Sequence, residues 1–284
     1  MLRNRRDVQS LAYLLAAPLL VAWQWQHGFS LPLYLLLLFL TLGIGVINHN
    51  HSHLPMWRHR GLNRLTTLWV SLLQGHPAFV FHPAHVANHH RYHHGEQDVA
   101  RTYRFGGDHN HLLGYLLHPV VVIPVLYPLF WHYLGRLQHR RPALWRACLL
   151  QYGWLLLLWG VLLWLSPGKT LLYVLLPQLH GLHWLLATNY LQHAHADGHS
   201  PLNFARNFDG LINPLLLNIG LHTSHHRHPK AHWSQLTHLQ QQYRDQIDPR
   251  LNERGLLPYM FRVYLLGLIW PRYRSQSLMT FTPH

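Results

Sequence analysis

The sequence predicts an all-α integral membrane protein. It has about four transmembrane helices in two hairpins, interfacial helices beside them and a histidine-rich cap on the cytoplasmic side. Three observations lead there. Apolar residues are clumped into runs long enough to cross a bilayer. Arginines gather at one end of those runs. The 29 histidines of this 284-residue chain concentrate just beyond that same end.

The elements follow in order. Residues 11–26 and 31–48 form the first apolar pair, separated by Gln26-His27-Gly28-Phe29-Ser30. As a helix the second run spans about 27 Å at about 1.5 Å per residue, close to the thickness of a hydrocarbon core. Residues 146–165 and 171–191 form the second pair around Ser166-Pro167-Gly168-Lys169. Four such runs are hard to bury in a soluble protein. A basic start (Arg3, Arg5, Arg6) before the first run imitates a secretory signal. No small-residue cleavage site precedes the next run, so the first is expected to be retained as a span. Leu62, Leu65, Leu68, Trp69, Leu72 and Leu73 recur at helical spacing with polar residues between them, as in a helix lying in the interface. Leu112–Leu134 is long enough to span but carries Pro119, Pro124 and Pro128. It is expected to be kinked or interfacial. Leu256–Trp270 reads as a further surface-lying segment. The whole chain, residues 1–284, reads as one membrane domain.

Charge sets the orientation. Lys plus Arg number 23 against 9 Asp plus Glu, a net charge of +14. Arg3, Arg5 and Arg6 precede the first span; Arg58, Arg60 and Arg64 follow the second; Arg136, Arg140, Arg141 and Arg146 precede or open the third. The hairpin tips carry only Lys169. The termini and the long middle loop are therefore expected in the cytoplasm. Because the arginines sort with topology and no nucleic-acid motif is present, no nucleic-acid partner is expected. Anionic membrane lipids and an acidic protein suit them better. The mean hydropathy of −0.04 averages apolar spans with this basic cap.

Composition removes several chemistries. A single cysteine, Cys148, excludes an intrachain disulfide framework, a cysteine zinc cluster and a protein-held iron–sulfur cluster. Nine carboxylates spread over the chain argue against a carboxylate-rich metal cage.

Histidine spacing supplies the alternative. His49, His51 and His53 end the second apolar run. His82, His85, His89, His90, His93 and His94 lie in the loop beyond the first interfacial helix. His193, His195 and His199 follow the fourth run, and His222, His225, His226, His228 and His232 come next. On a helix, residues three and four apart share a face. His49 and His53 have that spacing, and His90-x-x-His93-His94 and His222-x-x-His225-His226 repeat one pattern. Imidazole clusters of this kind suit iron, zinc, copper or nickel.

The pattern resembles the membrane fatty-acid desaturase family, whose signature is three histidine boxes. Residues 49–53 (His-Asn-His-Ser-His), 90–94 (His-Arg-Tyr-His-His) and 222–226 (His-Thr-Ser-His-His) resemble the boxes. Asn189-Tyr190-Leu191-Gln192-His193 is similar to the element supplying one more ligand, and His232-Trp233-Ser234 is similar to the bacterial branch. The resemblance implies a non-haem centre of two iron ions with O2 as co-substrate. Its ligands would be His49, His53, His90, His93, His94, His193, His222, His225 and His226. Asn189 would act through water, and His51, His89, Asp98 and Asp197 would orient ligands by accepting or donating hydrogen bonds. The extra histidines leave the register of the second box open, since His85 and His89 are also four apart.

The implied activity is an oxygen-dependent desaturase acting on fatty-acyl lipid from the bilayer, in a bacterial inner membrane. Hydroxylation, ketolation or decarboxylation on the same scaffold remains an alternative, because a ligand set does not fix the reaction. A non-catalytic metal transporter would place ionisable ligands inside the spans, where only His180 and His183 stand out. No dinucleotide fingerprint and no C-x-x-C-H haem attachment occur, so a separate ferredoxin-like or cytochrome-like electron donor is expected.

Overall fold

A computed structural model describes residues 1–104 and 107–279. The described chain is mostly helical. Its strands are two dipeptides, Asn207–Phe208 and Asn252–Glu253, paired in parallel. Five helices are long and apolar enough to cross a membrane: Arg5–His27, Leu31–His53, Leu112–Arg140, Pro142–Leu165 and Pro167–His193. The candidate beyond the four spans expected from sequence is Leu112–Arg140, one continuous helix despite its three prolines. Proline removes a backbone donor, yet helices in a bilayer tolerate it where neighbouring groups and local adjustments satisfy the freed carbonyls. The last two helices also begin earlier than their apolar runs, each with a proline in its first turn, where the missing N–H costs nothing.

Residue contacts divide the chain into two units: Met1–Pro83 with Leu129–Leu185, and Ala84–Pro128 with Leu186–His284. In the first, α1 (Val8–His27) and α2 (Leu31–His53) form a hairpin closed at Gly28, whose φ of 96° favours glycine. Gly43 lets the Tyr13 ring lie directly against α2. The amphipathic α3 (Arg60–Gln74) ends at Gly75 in the left-handed region. Several buried polar side chains in this unit are paired with one another. Ser71 Oγ donates to Gln151 Oε1 (3.0 Å), Asn48 Nδ2 to Gln74 Oε1 (3.1 Å) and Trp159 Nε1 to Gln178 Oε1 (3.0 Å). Among apolar neighbours, an unpaired amide would cost several kcal/mol.

We number the remaining long helices α4 (Leu112–Arg140), α5 (Pro142–Leu165) and α6 (Pro167–His193). Only 17% of the most apolar window of α5 is buried, so most of its leucines and Trp164 face outward. A surface this apolar is stable in hydrocarbon and not in water. In the second unit the first turns of α4 and the last turns of α6 pack on the segment Leu256–Ile269. Tyr115, Tyr190, Leu191, Phe208, Tyr259 and Tyr264 form that core. It anchors the end of α6 from which His193 projects.

Candidate metal centre

The second histidine run is helical where a loop was expected. His82–His89 is π-helical and His90–Tyr92 adds a short α-helical turn. Bonding from i to i+5 widens the turn, so residues four and five apart flank one line. His89 and His90 therefore both approach His85. The helix stops at Tyr92, and His93 and His94 take left-handed backbone angles (φ 43° and 68°). The spacing argument thus fails for residues 90–94, which do not share one helical face. The third box is helical as expected: α7 spans His222–Arg227. On it His222 and His226 lie four apart, while His225 is rotated away by about 100° from His226 at 3.6 residues per turn.

Four imidazoles converge in the second unit. His89, His193, His222 and His226 are all buried, with ligand nitrogens within 4.8 Å of one another. The His193 and His222 Nε2 atoms are 3.0 Å apart, and those of His222 and His226 3.1 Å. Tautomers follow from the outer partners. His193 Nδ1 sits 2.8 Å from the Phe204 carbonyl oxygen, which only accepts, so Nδ1 carries the proton. His89 Nδ1 donates to Asp98 Oδ2 at 2.6 Å. The Nε2 lone pairs of both rings are then turned inward. His89 Nε2 is buried with no hydrogen-bond partner. Asp98, fully buried, also accepts from the backbone N–H of His94 (2.9 Å) and of Ala100 (2.8 Å). Burial alone would raise its pKa. The adjoining His89 ring and its hydrogen bond outweigh that and hold the carboxyl well below the usual range. Burial also pushes the His226 imidazole well below its ordinary pKa, and adjacent His90 and His222 reinforce the effect. The ring stays neutral, the form a metal requires.

A second convergence in this unit joins His85, His90 and His225. His90 Nε2 lies 3.0 Å from His85 Nε2 and 2.9 Å from His225 Nε2. The two sets adjoin, since the His90 ring stacks on His226 with centroids 4.2 Å apart. In the first unit His49 and His53 sit one turn apart on α2 with centroids 5.2 Å apart. His49 Nδ1 donates to Asn50 Oδ1 at 2.9 Å, leaving its Nε2 as the lone-pair nitrogen.

Other residues singled out from sequence have different neighbours. His93 stacks on Phe204 (5.0 Å), and His94 stacks on His193 (5.2 Å), with burial pushing its pKa down to about 3. Both border the four-histidine set without joining it. His51 Nδ1 accepts the N–H of Met56 (3.2 Å). Asn189 Nδ2 donates to the Ala100 carbonyl (2.6 Å), and Asp197 accepts from His199 N (2.9 Å) within its own turn. In place of His93 and His94 the structure gathers His85 and His89. The signal was present as His85-x-x-x-His89-His90, the same pair-plus-one pattern stretched by one residue.

The donor set fits a metal of the imidazole-preferring class. The four ligand nitrogens of the buried set lie close enough together to meet a single ion. Comparison with known proteins agrees. The family model described as "Fatty acid desaturase" matches residues 9–266. No curated protein matches the chain.

Proposed function

The chain belongs to the fatty acid desaturase family, and from that premise we propose that it is a two-iron enzyme converting a CH2–CH2 unit of a bilayer-borne acyl chain to a double bond. O2, two electrons and two protons enter, and two waters leave. The observation that carries this reading is the buried four-histidine set with its carboxylate-anchored His89.

His89, His193, His222 and His226 would hold one iron. His85, His90 and His225 would hold the other, and the family resemblance makes His49 and His53 ligands as well. Bound iron supplies the O2 chemistry needed to take hydrogen from an unactivated methylene, which acid–base side chains cannot do. The protein's share is preparation. Asp98 and the Phe204 carbonyl fix two imidazoles in the tautomer that ligates through Nε2. Burial keeps the His193 and His226 rings neutral and excludes bulk water. Electrons come from a separate ferredoxin-like or cytochrome-like donor. With Leu112–Arg140 lying in the interface and the other four long helices crossing, the termini and the histidine cap lie in the cytoplasm of a bacterial inner membrane, as the arginine distribution and box type suggest.

The test is lipid mass spectrometry after expression under 18O2. Desaturation gives acyl chains lighter by two hydrogens and free of the label. Label retained in the acyl product identifies hydroxylation on the same centre. An unchanged lipid profile from iron-loaded, reduced protein refutes both.

A further inference from the structure

Beside the histidine sets, the second unit holds a recess of about 210 Å3 that the chemistry above leaves unused. Arg101 and Arg104 line one side, with Thr102, His109 and His111. Leu113, Leu117 and Val121, four residues apart on α4, line the other. Among the described residues no carboxylate lines the recess. Two acids of the neighbouring chain are engaged elsewhere: Asp98 accepts from His89, and Asp108 from Ser277 Oγ (2.7 Å) and the N–H of His195 (3.2 Å). Arg104 reaches only backbone carbonyls, those of Asp98 and Val99, and its Nε is buried without a partner. Burial lowers the Arg104 pKa and neighbouring Arg101 lowers it further, against a smaller opposing pull from Asp98 and Tyr103.

The two sides differ in the solvent they suit. Leu113 is 60% exposed and lies on a helix apolar enough to cross a membrane, so its side of the recess suits hydrocarbon. The arginines lie in the loop before that helix. A cationic wall joined to an apolar one matches a lipid with a negatively charged head. Guanidinium forks recognise phosphate and carboxylate oxygens in particular.

We propose that this recess binds the anionic headgroup, phosphate or carboxylate, of the acyl substrate, with the first carbons of its chain along Leu113, Leu117 and Val121. The loop that carries both arginines also carries Asp98, the anchor of His89. Thr102 Oγ in that loop lies 3.4 Å from His94 Nε2. Headgroup and metal centre are thus held by one stretch of chain. This assignment rests on the desaturase reading.

The experiment separates the two. Purified full-length protein in neutral detergent is titrated with dodecyl phosphate and with dodecyl glucoside, and binding is read by native mass spectrometry without turnover. Dodecyl phosphate binds and the glucoside binds at least about tenfold more weakly. R101Q/R104Q weakens dodecyl phosphate by about tenfold or more with an unchanged melting temperature, whereas R136Q/R140Q does not. With an acyl lipid bearing a phosphate head as substrate, R101Q/R104Q raises KM and leaves kcat within about twofold. Equal affinity for both amphiphiles, or unaltered affinity in R101Q/R104Q, overturns the proposal. Displacement of dodecyl phosphate by millimolar inorganic phosphate overturns the lipid assignment. Lost binding with an unchanged KM overturns the substrate assignment. Binding that follows these expectations in a protein forming no double bond leaves the pocket standing and refutes the desaturase reading instead.

Discussion

Replacing Asp98 by asparagine tests the link between fold and metal site. The carboxylate is fully buried and its Oδ2 accepts two hydrogen bonds, from His89 Nδ1 and the His94 backbone, while Oδ1 accepts a third from Ala100. Asparagine offers one oxygen and one NH2. Whichever way the amide points, its NH2 meets at least one buried donor. That leaves an unsatisfied group costing about 1–3 kcal/mol of stability. If the NH2 faces His89, Nδ1 must become the acceptor. The proton then moves to Nε2, the nitrogen turned toward the other three imidazoles. Loss of such an orienting carboxylate typically costs 10–100-fold in metal affinity, or about 1.4–2.7 kcal/mol at 1.36 kcal/mol per decade. The assay is residual iron after dialysis against graded chelator, with chemical unfolding on the metal-free protein. D98N should lose iron at about 10–100-fold lower chelator strength. Wild-type iron retention by a D98N protein would refute the argument that Asp98 sets the His89 tautomer.

Other outcomes follow from the same geometry. His89→Ala should remove more iron than His93→Ala, since His89 belongs to the convergent set and His93 borders it; elemental analysis of the two proteins decides, and the reverse order contradicts the assignment. His94 and His226 have folded pKa values below the ordinary 6.5, His94 at about 3. Below pH 6.5 the unfolded chain binds protons that the folded one refuses. Metal-free stability is therefore full above pH 6.5 and falls below it by about 1.4 kcal/mol per pH unit for each group. Unfolding midpoints at pH 7.5 and 5.5 check this, and equal midpoints contradict it. Gly198→Ala should destabilise by about 1–3 kcal/mol, because an added Cβ would strike the His94 carbonyl and Gly95 nitrogen, backbone atoms that cannot swing aside; a thermal melt measures it.

Much of the architecture was legible because bilayer chemistry is written in long apolar runs and in the placement of arginine. Leu31–His53 and the third histidine box needed nothing more. Leu112–Arg140 was harder. Proline counts against a helix in water, and sequence alone did not show that its carbonyls find other satisfaction. The second box failed for a different reason. The spacing argument assumed 3.6 residues per turn, but His82–His89 is π-helical, which favours His85-x-x-x-His89-His90 over His90-x-x-His93-His94. Hydrogen-bond patterns of this kind depend on packing, which residue spacing does not encode. The Asp98–His89 pair is nine residues apart, and only the turn between them brings it together.

The central claim, that imidazoles from this chain hold two irons, is tested most directly by the metal-to-protein ratio of purified wild-type protein. The account predicts two irons per chain, falling toward one in His226→Ala. Zinc or copper in place of iron, or an iron content unaffected by His226→Ala, would contradict it.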